Sequence, residues 1–440
     1  MEKVKQKFGD YQSYAKELWL LALPIIMGNL GNMLIGVGDV FVAAKHSTLT
    51  LAAISIATAI FMTLMIGGLG LLYSISPVVS HLRGQKLRTK NLFAVTVVYA
   101  MFLAMIFFVI IRIGALLVGY IGFDPVLVPM IKEYMMICSY SIFGAFLYNS
   151  LKEFLQAYEI VMLPNLIAII GIFLNLVLCF MFVFGLWGAP EMGVKGLAWA
   201  AVVVRSFMGL WLLFVCLPFF RGSTNNVSKY LFDLLKIGWP MSIALCLEFS
   251  GFNISAILVG KISPLFAAAH NLIITCASVS FMIPLSISNA IAVKVAYSDG
   301  AGDFTLLKNY AYTGIVMILI YMSFSAFLFV TFPRQLIGLF TSDNLVLAVA
   351  VPVMFIVACF QIFDGLQVAF SGVLRGLKMT KPIMLTIFLA YWVIGIPFGA
   401  WLAFSKGIVL AGFWSGLAVA LFVASLISGT IIKNKFKELR

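Results

Sequence analysis

Residues 92–118 read LFAVTVVYAMFLAMIFFVIIRIGALLV, an apolar run whose one charged residue is Arg112. A hydrocarbon core of about 30 Å takes about twenty consecutive apolar residues of helix. In lipid only helices and closed barrels satisfy every backbone group, and a run this long and continuous excludes a barrel strand. Comparable runs recur near 18–44, 49–80, 124–149, 161–185, 194–220, 234–260, 264–293, 309–333, 345–371, 382–404 and 407–432. They predict an all-α membrane protein with twelve transmembrane helices. Composition points the same way: the 440 residues are 63% hydrophobic and 10% charged, against about 25% charged in a soluble domain.

The net charge of +13 raises the question of nucleic acid, and its distribution answers it. Lys3, Lys5, Lys7 and Lys16 precede or open the first run; Arg83, Lys86, Arg88 and Lys90 follow the second; Arg375, Lys378 and Lys381 follow the tenth; Lys433, Lys435, Lys437 and Arg440 end the chain. The odd-numbered connections hold few basic residues, among them Lys45, Lys261, Arg334 and Lys406. Cytoplasmic loops collect Lys and Arg, so both termini are expected in the cytoplasm, which requires an even helix count. The basic excess is topology and requires no nucleic-acid partner. The six cysteines all fall within apolar runs without a CxxC pair, and read as small buried hydrophobes. The first run is too long for a signal-peptide core.

The two halves of the chain repeat one another. Pro24 matches Pro240, Ala52-Ala53 match Ala268-Ala269 and Gly84 matches Gly300, each 216 residues apart. Lys90-Asn91 match Lys308-Asn309 and Pro164 matches Pro382 at 218, and Ile142-Phe143 match Ile362-Phe363 at 220. The polar stretch Arg221–Lys229 (RGSTNNVSK) reads as a linker. The expectation is an N-terminal six-helix bundle over 1–220 and a C-terminal one over 221–440. Six helices is an even number, so both insert the same way, related by a pseudo-two-fold axis along the membrane normal.

Carboxylates inside the spans are the informative residues. Asp39, Glu248 and Asp364 lie well within apolar runs, where a charge costs several kcal/mol unless it faces protein or water. Asn29, Asn32, Gly36 and Asp39 share one helical face, as do Glu248, Gly251 and Ser255, and Gln361, Asp364 and Ser371. Polar stripes of this kind are expected to face a hydrated cavity. At the repeat offsets Glu248 pairs with Asn32, Asp39 with Ser255 and Asp364 with Gly144, so no acid has an acid as its mate. Desolvation disfavours the charged form of a carboxyl, which suits proton exchange; a hard cation such as Na⁺ also prefers oxygen ligands. A cationic substrate and the coupling ion then compete for one negative site. Asn175 is read as a cavity oxygen donor or a packing residue. Arg205 is read as the partner of a carbonyl or acid, and His270 as a packing residue or proton relay.

Several segments carry a family resemblance: LALPIIMGNLGNMLIGVGDVFVAAKHSTLTLAAISIA, GLGLLYSISPVVSHLRGQ at 68–85, PMSIALCLEFSGFNISAILVG at 240–260, AAAHNLI at 267–273 and FQIFDGLQVAFSGVLRGLKMTKP at 360–382. Together they resemble the MATE (multidrug and toxic compound extrusion) transporters over nearly the whole chain, most closely the NorM-like branch. The resemblance implies that Glu248 and Asp364 form a cation site, with Na⁺ a possible occupant and no other metal assigned. It implies cation or proton binding at Asp39, and it matches Asn175 to an asparagine of the fifth helix. Two positions depart from the family pattern: Gly171 and Ala201 stand where polar residues are common, which tilts Asp39 towards protons.

The expected function is a secondary antiporter of the plasma membrane, exporting amphipathic cations in exchange for H⁺ or Na⁺. Asp39, Glu248, Asp364, Asn175, Asn32 and Gln361 are its expected binding residues. Beyond the coupling ion it needs no cofactor, its partners are small-molecule cations and membrane lipid, and a monomer is sufficient. The alternative is a flippase for lipid-linked oligosaccharides, which handles pyrophosphate and should line its cavity with Arg or Lys. An enzyme is disfavoured, since no HExxH or GxSxG motif appears and the histidines stand apart at 46, 81 and 270.

Overall fold

The computed structural model describes residues 2–87, 89, 92–217 and 227–439, and these contain helices and no strand. The predicted linker Arg221–Lys229 lies, as far as Asn226, outside the described residues, as do Lys90 and Asn91 of the repeat. Twelve rods follow one another. They are α1 (Glu2–His46), α2 (Thr48–Leu72) continued by α3 (Ile75–Gly84), α4 (Leu92–Leu117), α5 (Leu127–Cys138) continued by α6 (Ser141–Ala157), α7 (Met162–Phe184) and α8 (Val194–Cys216). Then come α9 (Val227–Ile262), α10 (Pro264–Ala301), α11 (Phe304–Thr331), a short α12 (Pro333–Gly338), and α13 (Asn344–Ala350) leading into α14 (Met354–Gly376). The eleventh rod runs from α15 (Thr380–Ile387) through a π-helical stretch, Phe388–Gly395, into α16 (Ile396–Ser405), and α17 (Val409–Glu438) closes the chain.

Eleven of these rods are long and apolar enough to cross a bilayer. The twelfth is the α5–α6 pair, which the sequence presented as one run over 124–149. At the break two serines turn onto the backbone: Ser139 Oγ donates to the Met136 carbonyl and Ser141 Oγ to that of Cys138, each at 2.7 Å. Such back-bonding competes with the helical ladder and bends the axis. Elsewhere polar side chains start helices. Ser47 accepts from the Thr50 amide, Asp303 from that of Leu306 and Asp343 from that of Leu345, satisfying donors that a helix N-terminus leaves open. Large apolar side chains such as Phe173, Ile320 and Leu426 stand exposed on the outside, as a lipid-facing surface requires.

Packing divides the chain into two units. One comprises 27–79 and 87–242, the other 1–26, 80–86 and 243–440. The sequence halves 1–220 and 221–440 are drawn from the repeat; packing divides α1 after 26, α3 after 79 and α9 after 242. In the second unit Glu17 of α1 is held by Lys294 at 2.9 Å and by the Tyr310 hydroxyl at 2.6 Å. The end of α3 lies there against α10, where His81 Nδ1 stands 3.0 Å from Asp299 Oδ2. The repeat mates Gly84 and Gly300 meet at the same crossing, the backbones touching where a Cβ would intrude. α10 is the most enclosed rod and packs on α14, α11 and α17. In the first unit α6 packs on α8 and α4, and α7 on α8.

Candidate functional site

Asp39 is positioned by the glycines of α1. Gly28, Gly31 and Gly38 turn to α7, and a Cβ at Gly31 would come within 2.7 Å of Ile172 Cδ1. That close approach brings Asp39 Oδ1 to Asn175 Nδ2, which donates at 2.8 Å, and to the Cys179 thiol at 3.4 Å. Asp39 also feels the positive charge of Arg205 on α8. Arg205 donates from Nη1 to Ser141 Oγ at 2.8 Å and lies 5.2 Å over the Phe61 ring, so its partners are a hydroxyl, a ring and a nearby acid. Asn32 is exposed on α1 two turns before Asp39, and a Cβ at Gly36 would meet nothing within 4 Å. The Asn32–Gly36 part of this stripe is open, and Asp39 beyond it is engaged by α7. Gly171, the departure noted on α7, packs instead against Met208, whose Sδ lies 2.7 Å from where its Cβ would be.

The other two acids both lie in the second unit. Glu248 on α9 is near enough to Asp364 on α14 for its charge to act on the Asp364 carboxyl. Asp364 is buried and Gln361, one turn earlier, is wholly enclosed, with no protein partner for either amide atom. Phe252, Phe360, Trp414 and His270 form a chain of rings beside them, with successive centroids 6.1, 5.2 and 5.6 Å apart. His270 is fully buried against Trp414, and neither of its ring nitrogens finds a protein partner. Ser255, expected in the α9 stripe, returns its hydroxyl to the Gly251 carbonyl of its own helix. Ser371 accepts from Gln367 at 3.4 Å.

The structure thus hydrogen-bonds Asp39 to Asn175 in one unit and sets Asp364 within electrostatic reach of Glu248 in the other. Sequence reasoning missed Cys179, which it took for a packing residue; the signal was its place one turn beyond Asn175. The repeat mate of Asp364 is Gly144, and the reason it carries no acid is steric. A Cβ there would lie 2.5 Å from the Arg205 carbonyl carbon and oxygen and from the Ser206 nitrogen. Across the same contact, a Cβ at Gly209 would lie 2.7 Å from the Gly144 oxygen. At this point α6 meets α8 backbone to backbone.

Twelve apolar rods with a repeated plan and carboxyls enclosed in each unit define a polytopic membrane transporter. Residues 24–181 and 240–401 each match the MatE family model, the two matches opening on the proline pair Pro24 and Pro240. The chain belongs to the MatE family, the multidrug and toxic compound extrusion transporters. It is similar to the multidrug resistance protein NorM of Photobacterium profundum, 27% identical over 437 residues and 95% of each chain. To NorM of Vibrio cholerae serotype O1 it is 28% identical over 434 residues and 95% of each chain. To the multidrug resistance protein MdtK of Cronobacter sakazakii it is 29% identical over 435 residues and 94% of each chain. It shares its fold with the eukaryotic MATE transporter AtDTX14, at a TM-score of 0.86 and 22% identity over 98% of this chain and 99% of that one. The bent form of the Vibrio cholerae MATE transporter VcmN also superposes at 0.86, with 18% identity over 96% of this chain and 98% of that one.

Proposed function

We propose that this chain is a secondary antiporter of the plasma membrane that exports amphipathic cations in exchange for H⁺ or Na⁺, working as a monomer. The observation that carries the reading is a carboxyl site within each unit, Asp39 with Asn175 in one and Glu248 with Asp364 in the other. Carboxyls enclosed among apolar helices attract any cation that reaches them, and a bulky cation and a small one exclude each other there. The gradient of the small ion then drives release of the large one, provided the site opens alternately to the two sides. Aromatic faces such as those of Phe252 and Phe360 suit the apolar body of an amphipathic cation. The clustering of Lys and Arg at both ends of the chain and along the even-numbered connections supports cytoplasmic termini. Nothing favours the flippase reading: the curated relatives are multidrug resistance proteins, and Arg205 is already engaged by Ser141.

The test is uptake of ethidium into inverted vesicles, driven separately by a pH gradient and by a Na⁺ gradient. Uptake under one gradient is the expected result and names the coupling ion. Correctly inserted protein that moves no cation under either would sink the proposal. In the same assay Asn175→Leu removes a hydrogen bond to a charged group, a contact of about 1.5 kcal/mol or more. About a tenfold rise in the half-saturating concentration of the driving ion is expected when the first unit limits uptake; an unchanged value would show that Asn175 only packs.

A further inference from the structure

The π-helical stretch Phe388–Gly395 interrupts an otherwise α-helical rod, and such interruptions are concentrated at functional sites. It is held on two sides. Trp392 Nε1 donates to the Leu247 carbonyl at 3.1 Å, fixing the stretch to α9 one residue before Glu248. On the other side Gly395 seats against α17, where a Cβ would lie 2.6 Å from Ala420 Cβ and 2.9 Å from the Gly416 oxygen. This register sets Tyr391 opposite the acid-bearing turn of α9. Gly251, one turn past Glu248, leaves room for it, since a Cβ there would stand 3.2 Å from Tyr391 Cδ1. The ring meets Phe252 edge-on at 5.8 Å. Tyr391 is wholly buried, lies within electrostatic reach of both Glu248 and Asp364, and its hydroxyl has no protein partner.

A small hard cation gathers several oxygens. Among the described residues no group of three acids, histidines or cysteines assembles to hold one, so the two carboxyls need neutral oxygens beside them. We propose that Tyr391 is the third member of the small-cation site of Glu248 and Asp364, its hydroxyl supplying a neutral oxygen to the monovalent cation that drives transport. The assignment rests on the antiport reading. The π-helical register is what delivers the hydroxyl, and the bare Gly251 is what admits the ring.

The full chain, reconstituted in proteoliposomes, is assayed for ethidium transport against increasing pH gradient in one arm and increasing Na⁺ in the other. Tyr391→Phe deletes one oxygen and keeps the ring. In the arm that drives the wild type, the half-saturating ion concentration should rise about tenfold, the loss of one hydrogen-bond-strength contact to an ion. The maximal rate should stay within about twofold of wild type at that scale of perturbation. A residue that only packs would lower the maximal rate through loss of folded protein and leave half-saturation where it was. Gly251→Ala keeps the hydroxyl but pushes the ring away, and should reproduce the shift if Tyr391→Phe proves unstable. Half-saturation unchanged in both variants, while Glu248→Gln abolishes drive, overturns the assignment and leaves the antiport reading standing. A wild type driven by neither ion refutes the antiport reading and removes the assignment with it.

Discussion

Glu248→Gln and Asp364→Asn, made together, should cut gradient-driven cation export by about a hundredfold or more, the effect of losing one shared charge-assisted site of about 3 kcal/mol. The Glu248 charge acts on the Asp364 carboxyl, so the pair is expected to bind as a unit and the single replacements not to add. Each alone should remove most of the activity, and the double variant should fall only modestly below the worse single one. Initial rates of ethidium uptake under the driving gradient measure this, with the amount of inserted protein determined alongside. Asp39→Asn is the comparison: it leaves the pair intact and perturbs the other unit. A double variant that transports at the wild-type rate would remove Glu248 and Asp364 from the mechanism altogether.

Gly144→Val is expected to have the largest effect on stability. At Gly144 the backbones of α6 and α8 touch, and an added Cβ falls 2.5 Å from the Arg205 carbonyl. Overpacking a core usually costs about 1–3 kcal/mol, relieved by neighbouring side chains that shift. Here the obstacle is backbone on both helices, Gly209 included, so the cost should reach or exceed the upper end of that range. Separation would also draw Arg205 away from Ser141 and from the neighbourhood of Asp39. The measurement is the fraction of detergent-extracted protein that stays monodisperse after heating. Gly144→Ala should be visibly destabilised and Gly144→Val should give little monodisperse protein. Equal thermal survival of the Gly144→Val variant and wild type would mean that the helices can part at no cost.

Much of the fold is legible in the sequence because the bilayer imposes one demand on every rod, a long apolar run, and this chain meets it repeatedly. The α5–α6 break is not legible, since 124–149 holds no proline or glycine at the break, and the serines that bond to the backbone there do so in unbroken helices too. Asp39, Glu248 and Asp364 stand out because a charge in an apolar run is costly and therefore rare. The groups around them do not. Cys179 reads as a small buried hydrophobe, and Tyr391 is one aromatic among many, until α1 closes on α7 and the π-helical stretch is fixed to α9. Asn32 shared the face of Asp39 by spacing and remains exposed, since helical period places a side chain on a face without saying what the face meets. The unequal repeat has the same kind of cause: Gly144 lacks the acid of its mate because a contact between helices leaves no space for a side chain.

Carboxyls in both units leave room for more than one small cation to be exchanged in a turnover. If two enter while a singly charged drug leaves, each cycle moves a net charge across the membrane. An elementary charge falling through 100 mV gains about 2.3 kcal/mol, which is worth about a fiftyfold concentration ratio of the exported compound. The voltage across the cell envelope would then be a second fuel for efflux, and collapsing it with a potassium ionophore at constant pH and Na⁺ should slow export even though neither chemical gradient has changed.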